Sequence, residues 1–383
     1  MLKRRCARLA VVLSSCAIPP SAAAFTPAQT KQLTSAVHQM ISADGYPGMV
    51  IGIWGPHGER YVRAFGSTSF GRGARPLSTA DRFRVGSITK TFVGTLILEL
   101  VQRHKLRLGE RLSRFFPLIP DARAITIRML LNHTSLIPDV APSTVRKLEA
   151  HPATRFKPDQ VIHTAVKQPF LKPPPRFNYS DTNYLILGRI AERVTHQRLS
   201  SLLNKLILKP LHLRHTYFGP GTAIVGRHAH GYLVLRGRRT DVTNWTTSYT
   251  WAAGSMVSTL GDVKTWAQDL VRGARLDRSL ERQRLQFITT PVGYDYGLGI
   301  MRLGEFCGHN GLIPGYDSTM LYSSQLHATI VILAGASPLL DAPPLKTWFP
   351  PPPAVPDTLN LAVALAPIAF PQIGQPGPMA SPC

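Results

Sequence analysis

Ser87 and Lys90 are the residues from which chemistry can be built. They stand three apart, just after Gly86, at the head of an apolar run that includes Phe92, Val93, Leu96, Ile97, Leu98, Leu100 and Val101. A helix apolar on nearly every face belongs inside a domain. Residues three apart share a helix face, so the hydroxyl and the amine can meet. Burial disfavours the ammonium form of a lysine and lets it act as a base. A serine beside such a base is an activated nucleophile. The unpaired N–H groups of a helix start favour a developing oxyanion. Taken alone the spacing is weak, because Ser-x-x-Lys arises by chance in about one chain of this length. Ser87 could equally cap the helix while Lys90 reaches solvent.

The elements around this turn follow from hydrophobic patterning. Thr26 to Ser42 reads as an amphipathic helix with Leu33, Val37, Met40 and Ile41 on one side. Met49 to Trp54 and Tyr61 to Phe65 read as a strand hairpin turning at Pro56-His57-Gly58. Thr126 to Ser135 reads as a short capped helix. Residues 139–175 are proline-rich and end in the stiff Lys172-Pro173-Pro174-Pro175. Phe177 to Tyr184 then lead into a helix with Leu187, Ile190, Ala191 and Val194 buried. Further helices are expected at Leu202 to Leu213, Asp262 to Val271 and Ser279 to Phe287. Strand patterns return from Tyr296 to Ala334. The order strands, helices, strands predicts an α+β fold. Two early and three late strands make one antiparallel five-stranded sheet, flanked by helices, with an all-α region inserted and a cleft between. The expected division is a sheet part over 25–80 and 290–336, a helical part over 81–289, and a proline-rich tail over 337–383. Asp357 to Leu365 is the tail's helix candidate, and the rest of the tail reads as flexible.

Composition narrows the class. The 383 residues are 44% hydrophobic and 17% charged, as in a globular protein, but the formal net charge is +23. The basic residues are scattered, without an aromatic-interleaved patch, which argues against a nucleic-acid reader. Such a charge suits work near polyanions or an anionic membrane face, or is simply a solvated basic surface. Lys3, Arg4, Arg5 and Arg8 precede an apolar run from Leu9 to Ile18 and the small residues Ala22-Ala23-Ala24. That is the pattern of a secretory signal peptide over residues 1–24. Leu13-Ser14-Ser15-Cys16 also resembles a lipobox, which would instead leave a lipid on Cys16. In an oxidising compartment Cys307 and Cys383 could pair, or remain two free thiols. No metal-ligand pattern and no nucleotide-type glycine loop appears, so no cofactor is expected.

Ser87-x-x-Lys90, Tyr179-Ser180-Asp181 and His309-Asn310-Gly311, in that order and with Trp251-Ala252-Ala253-Gly254 between, resemble the serine penicillin-recognising superfamily. The nearest branch is that of D-alanyl-D-alanine carboxypeptidases, class C β-lactamases and related esterases. Leu130-Leu131-Asn132-His133-Thr134-Ser135 and Tyr296-Gly297-Leu298-Gly299 agree, and the likeness spans roughly Met49 to Ala334. It implies that Ser87 is acylated, that Lys90 helps deprotonate it, and that Tyr179 is partner base and leaving-group acid. The N–H groups of Ser87 and Leu312 would form the oxyanion hole, with Gly311 giving the acyl group room. Asp181 replaces the family's usual Asn. It could cap the following helix, pair with Lys90 or accept a substrate N–H. His309 stands where β-lactamases carry Lys, and Asn310 replaces a hydroxyl residue. A titrating His309 would tune the site near pH 6 to 7. Trp251 is expected to wall the pocket, or to be an ordinary core residue. Arg302 is expected to anchor a substrate carboxylate, or to be a surface arginine. The implied activity is an exported acyl-enzyme hydrolase of D-Ala-D-Ala-type peptides, with β-lactamase or esterase as near alternatives. A non-catalytic cell-wall binding or sensor protein is the alternative from another class.

Overall fold

The computed structural model describes residues 24–172, 176–235, 238–291, 293–338, 358–373 and 383. Residues 1–23 of the segment read as a signal peptide, and 339–357 and 374–382 of the tail, lie outside them.

The principal helices are α1 (Pro27–Asp44), α2 (Thr89–Gln102), α3 (Ile127–Leu131), α4 (Asp181–Thr195), α5 (Leu260–Arg272) and α6 (Thr358–Ala369). The principal sheet holds β1 (Gly48–Trp54), β2 (Arg60–Gly66), β3 (Ile288–Thr289), β4 (Asp295–Tyr296), β5 (Met301–Leu303), β6 (Phe306–Ile313), β7 (Tyr316–Ser323) and β8 (Ala328–Ala334). Their spatial order is β2-β1-β8-β7-β6-β5-β4-β3, antiparallel throughout. The α+β class therefore holds, but the sheet has eight strands where five were expected. The additional strands β3, β4 and β5 have two or three residues each. That is too short for alternation to show in a sequence.

Both faces of the sheet are covered, and the alternation of β1 shows it. Met49, Ile51 and Ile53 share a core with Leu33 and Val37 of α1 and Leu361 and Leu365 of α6. Val50 joins the other core, with Phe92 and Leu96 of α2 and Val263 and Trp266 of α5. Successive strand side chains point to opposite faces, so a strand buried on both reads as a continuous apolar run. The tail expected from residue 337 is in part integral to the fold. Ala336–Pro338 pairs in parallel with Tyr232–Leu235. Asp317 on β7 accepts from both the amide and the hydroxyl of Thr358, at 2.8 Å each, and so holds the start of α6. Cys307 on β6 and Cys383 form a disulfide with Cα atoms 5.9 Å apart.

Candidate active site

From Phe83 to Leu100 every residue is buried except Ser87, which keeps partial access to solvent. A helix that is apolar all round is enclosed, and its exposed point is the hydroxyl. Phe83-Arg84 pairs with Met256–Ser258, and the Val85 amide donates to the Met256 carbonyl at 3.1 Å. A short 3-10 turn, Gly86–Ile88, then delivers the chain into α2. Gly86 has φ +48°, a left-handed conformation that suits glycine. Behind the turn, Trp266 of α5 stacks on Phe92 with centroids 4.2 Å apart and donates to Thr91 at 2.7 Å. The helix start is thus clamped from two sides.

Lys90 Nζ lies 2.8 Å from Ser87 Oγ, 3.0 Å from the Ala253 carbonyl and 2.7 Å from Asp181 Oδ1. Its side chain is fully buried. Burial pulls its pKa below the ordinary lysine value, while Asp181 and, more weakly, Asp139 oppose that. Asp181 is the first residue of α4, with Ser180 at the cap position. Of the alternatives for Asp181, the structure shows the ion pair with Lys90 and places Ser180, not Asp181, at the cap position. Nζ also sits 4.8 Å from the ring centre of Tyr179 and 5.8 Å from that of Tyr184.

Tyr179 interacts with the Ser87 side chain, which lowers its pKa, but burial first and Asp181 second push that pKa well above the ordinary phenol value. The resting group is therefore a neutral phenol, suited to giving a proton or passing one on. Of the two parts the resemblance implied for Tyr179, partner base and leaving-group acid, the protonated phenol suits the acid. His133 stacks on Tyr179 with centroids 4.2 Å apart. It accepts the Ser180 N–H on Nδ1 at 3.1 Å, so its neutral ring carries the proton on Nε2. Burial followed by the Lys90 charge holds its pKa well below the usual histidine value.

His309 on β6 is buried, with Nε2 2.9 Å from the Tyr296 hydroxyl. Burial and then the Lys90 charge push its pKa down to about 3. The ring is neutral across the working range, which overturns a switch near pH 6 to 7. Asn310 and Leu312 are the partly exposed residues of β6, while Gly311 between them is buried. A Cβ on Gly311 would lie 2.1 Å from the Val85 carbonyl oxygen and 2.9 Å from the Ser87 amide nitrogen. One on Gly86 would lie 3.0 Å from the Leu312 amide nitrogen. Two facing glycines thus let the backbones that carry the Ser87 and Leu312 N–H groups touch. Gly94 of α2 meets Gly299 in the same way, where an added Cβ would come within 3.1 Å of backbone.

Two expected substrate contacts fall elsewhere. Trp251 packs its ring against Gly188 of α4 and Phe218, and lines a cavity of about 500 Å³ with Arg155 and Arg189 rather than with Ser87. Its segment contributes instead through the Ala253 carbonyl. Arg302 donates to Asp295 and lies 4.7 Å from the centre of the Phe287 ring. Its charge is already met by a strand neighbour. Asp139 and Tyr296 carry no assigned role in the sequence reading, yet both touch the site. A Pro-Asp in a weakly patterned stretch gave no signal for Asp139, whereas the Tyr296-Gly-Leu-Gly phrase was visible without its chemistry.

A serine and a buried lysine at a helix start thus face a glycine on an antiparallel strand, within a fold of the β-lactamase/transpeptidase type. The Beta-lactamase family model matches residues 33–345, and the chain belongs to that family. It is similar to Protein flp of Staphylococcus aureus (strain NCTC 8325 / PS 47), 27% identical over 271 residues, covering 67% of this chain and 53% of that protein. It is 28% identical over 254 residues to the putative penicillin-binding protein PbpX of Bacillus subtilis (strain 168), covering 66% of this chain and 61% of that one. The chain thus spans little more than half the length of these curated relatives. Among solved structures it resembles a D-stereospecific amidohydrolase from Streptomyces sp., with TM-score 0.71, 29% identity and 81% and 94% of the two chains covered. It also resembles the D-amino acid amidase of Ochrobactrum anthropi SV3, with TM-score 0.70, 26% identity and 80% and 92% covered.

Proposed function

We propose that this protein is an exported serine acyl hydrolase that works through an acyl-enzyme on Ser87. The observation that carries the reading is the 2.8 Å contact of Lys90 with the one accessible residue of a buried helix start. When Lys90 is a free amine it takes the Ser87 proton as Oγ attacks the acyl carbon. The oxyanion is met by the Ser87 and Leu312 N–H groups. Tyr179 gives its proton to the departing amine or alcohol and regains one from the Lys90 ammonium, which holds the proton taken from Ser87. Water then cleaves the ester and restores the serine.

The first expectation was a D-alanyl-D-alanine carboxypeptidase acting on peptidoglycan-type peptides. Such a substrate ends in a carboxylate and calls for a cation. Arg302, the expected carboxylate anchor, is paired with Asp295, and His309, in the place of the family's Lys, is neutral, so neither offers one. This favours acyl donors without a terminal carboxylate, with D-amino acid amides and small esters first. The two amidohydrolase likenesses support the same class. β-Lactams would serve as acylating mimics.

The test incubates the mature protein with a fluorescent penicillin, a D-phenylalanine amide, a p-nitrophenyl ester and a D-Ala-D-Ala-terminated peptide. Mass spectrometry follows the adduct. Expected are an adduct on wild type, none on Ser87→Ala, and amide and ester turnover exceeding release of the terminal D-Ala. No adduct and no turnover on wild type would leave the non-catalytic binding reading. Faster D-Ala release would restore the carboxypeptidase.

A further inference from the structure

Asp139 lies on the loop after α3 and takes no part in the chemistry above. Hydrogen bonds staple that loop in place. Ser135 donates to Asn183 at 2.6 Å, Asn178 to the Ile137 carbonyl at 3.1 Å, Ser180 to the Pro138 carbonyl at 3.1 Å and Gln168 to the Asp139 carbonyl at 2.8 Å. Two more are made by the Asp139 side chain. Its Oδ1 accepts the Asp181 N–H at 2.8 Å and the neighbouring Val140 N–H at 2.7 Å.

Asp181 N–H is the first orphan donor of α4. An N-cap side chain reaches the N–H of the second or third helical residue, so this first donor needs a partner from outside the helix. Ser180 holds the N-cap position, and its hydroxyl is committed to Pro138. A carboxylate from a separate loop therefore supplies the cap. It also brings a second acid to Lys90, which feels Asp181 strongly and Asp139 more weakly.

We propose that Asp139 is a positioning residue. It holds the first turn of α4 so that Asp181 meets Lys90, and its charge sets how readily Lys90 gives up its proton. The inference rests on the acyl-enzyme reading for its catalytic consequence. The charged and titratable groups facing Asp139 are Asp181 from α4, Lys90 from α2 and Tyr249 from the turn before Trp251. Burial first and the Asp181 charge second raise the Asp139 pKa to about 7, against the amide bonds and Lys90. Asp139 therefore gains its charge within the working range. Once ionised it steadies the Lys90 ammonium and withholds the base.

Asp139→Asn keeps an oxygen that can accept the Asp181 N–H but removes the charge, whereas Asp139→Ala removes both. Acylation rate is measured from pH 5 to 9 in the full chain. The Asn variant is expected to keep its maximal rate and move the acid limb to lower pH. The Ala variant is expected to lose tenfold to a hundredfold in kcat with little change in KM, because Asp181 drifts. A merely structural residue would not move the limb. An unmoved limb in Asp139→Asn, or full activity in Asp139→Ala, overturns the proposal.

A second readout needs no activity. In the unfolded chain the carboxyl ionises near its ordinary value of about 4. A raised folded value gives stability that is complete below about 4 and is lost as pH rises through about 7. The melting temperature of Asp139→Asn should therefore gain on wild type as pH rises from 5 to 8. A difference constant with pH overturns the proposal even if Ser87 proves not to be acylated, and no labelling of Ser87 alongside a pH-dependent gain removes the catalytic reading alone.

Discussion

At the scale of the residue, one charge balance organises the site. Lys90 is fully buried, and Asp181 at 2.7 Å is its counter-ion. Opposite charge at that range moves a pKa by roughly one to three units. Asp181→Asn restores the residue type usual in the resembling family and removes the ion pair. Lys90 should then lose its proton more easily, and the acid limb of the acylation rate should fall by about one unit or more. A rate profile of Asp181→Asn superimposable on wild type would contradict the pairing. His309 gives the opposite forecast. Because its pKa is pushed down to about 3, no limb between pH 5 and 8 belongs to it. His309→Gln should lower the rate through the lost contact to Tyr296 and leave the limb positions alone, which the same titration checks.

At the scale of the element, the site is a meeting of two backbones. The turn before α2 and the middle of β6 touch because Gly86 and Gly311 carry no side chains. Gly311→Ala would put a methyl 2.1 Å from the Val85 oxygen, far inside contact distance, so turn and strand must part. The expected result is loss of at least about a hundredfold in acylation, of the order seen when oxyanion donors are displaced. Circular dichroism should show a retained fold, since β6 stays paired with β5 and β7. Near-normal acylation would mean that the oxyanion is held elsewhere. The far helix tells a packing story. Leu365 of α6 is completely buried on the sheet face opposite the site. Leu365→Ala should cost about 2–5 kcal/mol in urea unfolding and spare acylation kinetics in the folded fraction. A change below about 0.5 kcal/mol would show that α6 adds little to the fold.

At the scale of the whole molecule, the net charge of +23 sets behaviour that the site does not. Among the described residues no helix is long and apolar enough to cross a membrane. We propose that this charge draws the protein to an anionic cell envelope. Binding to phosphatidylglycerol vesicles should be strong at low salt and fade as ionic strength shortens the Debye length to about 8 Å at 0.15 M. Equal binding to uncharged phosphatidylcholine vesicles would remove the electrostatic account. The disulfide from β6 to Cys383 closes a span of 76 residues. Its reduction should lower stability by roughly 4 kcal/mol on a chain-entropy estimate. A reduced protein that melts with the oxidised one would deny it that role.

Much of this was legible in one dimension because it is local. The Ser87–Lys90 pair, the long strands and the glycine of β6 are all written in short-range spacing. So is the candidate helix in the tail, since period and composition belong to consecutive residues. The fate of each polar group was decided in three dimensions. Arg302 looked like a substrate anchor until the sheet set Asp295 beside it, and Trp251 looked like a pocket wall until its ring settled on Gly188. His309 read as a pH switch because its ordinary pKa lies near neutrality. Burial beside Lys90 makes it a fixed neutral ring. Asp139 was invisible because its partner is 42 residues away and its signal is a single hydrogen bond. Which residues can react is a matter of their kind and spacing. Which of them are charged, paired or reachable depends on burial and on neighbours distant in the chain.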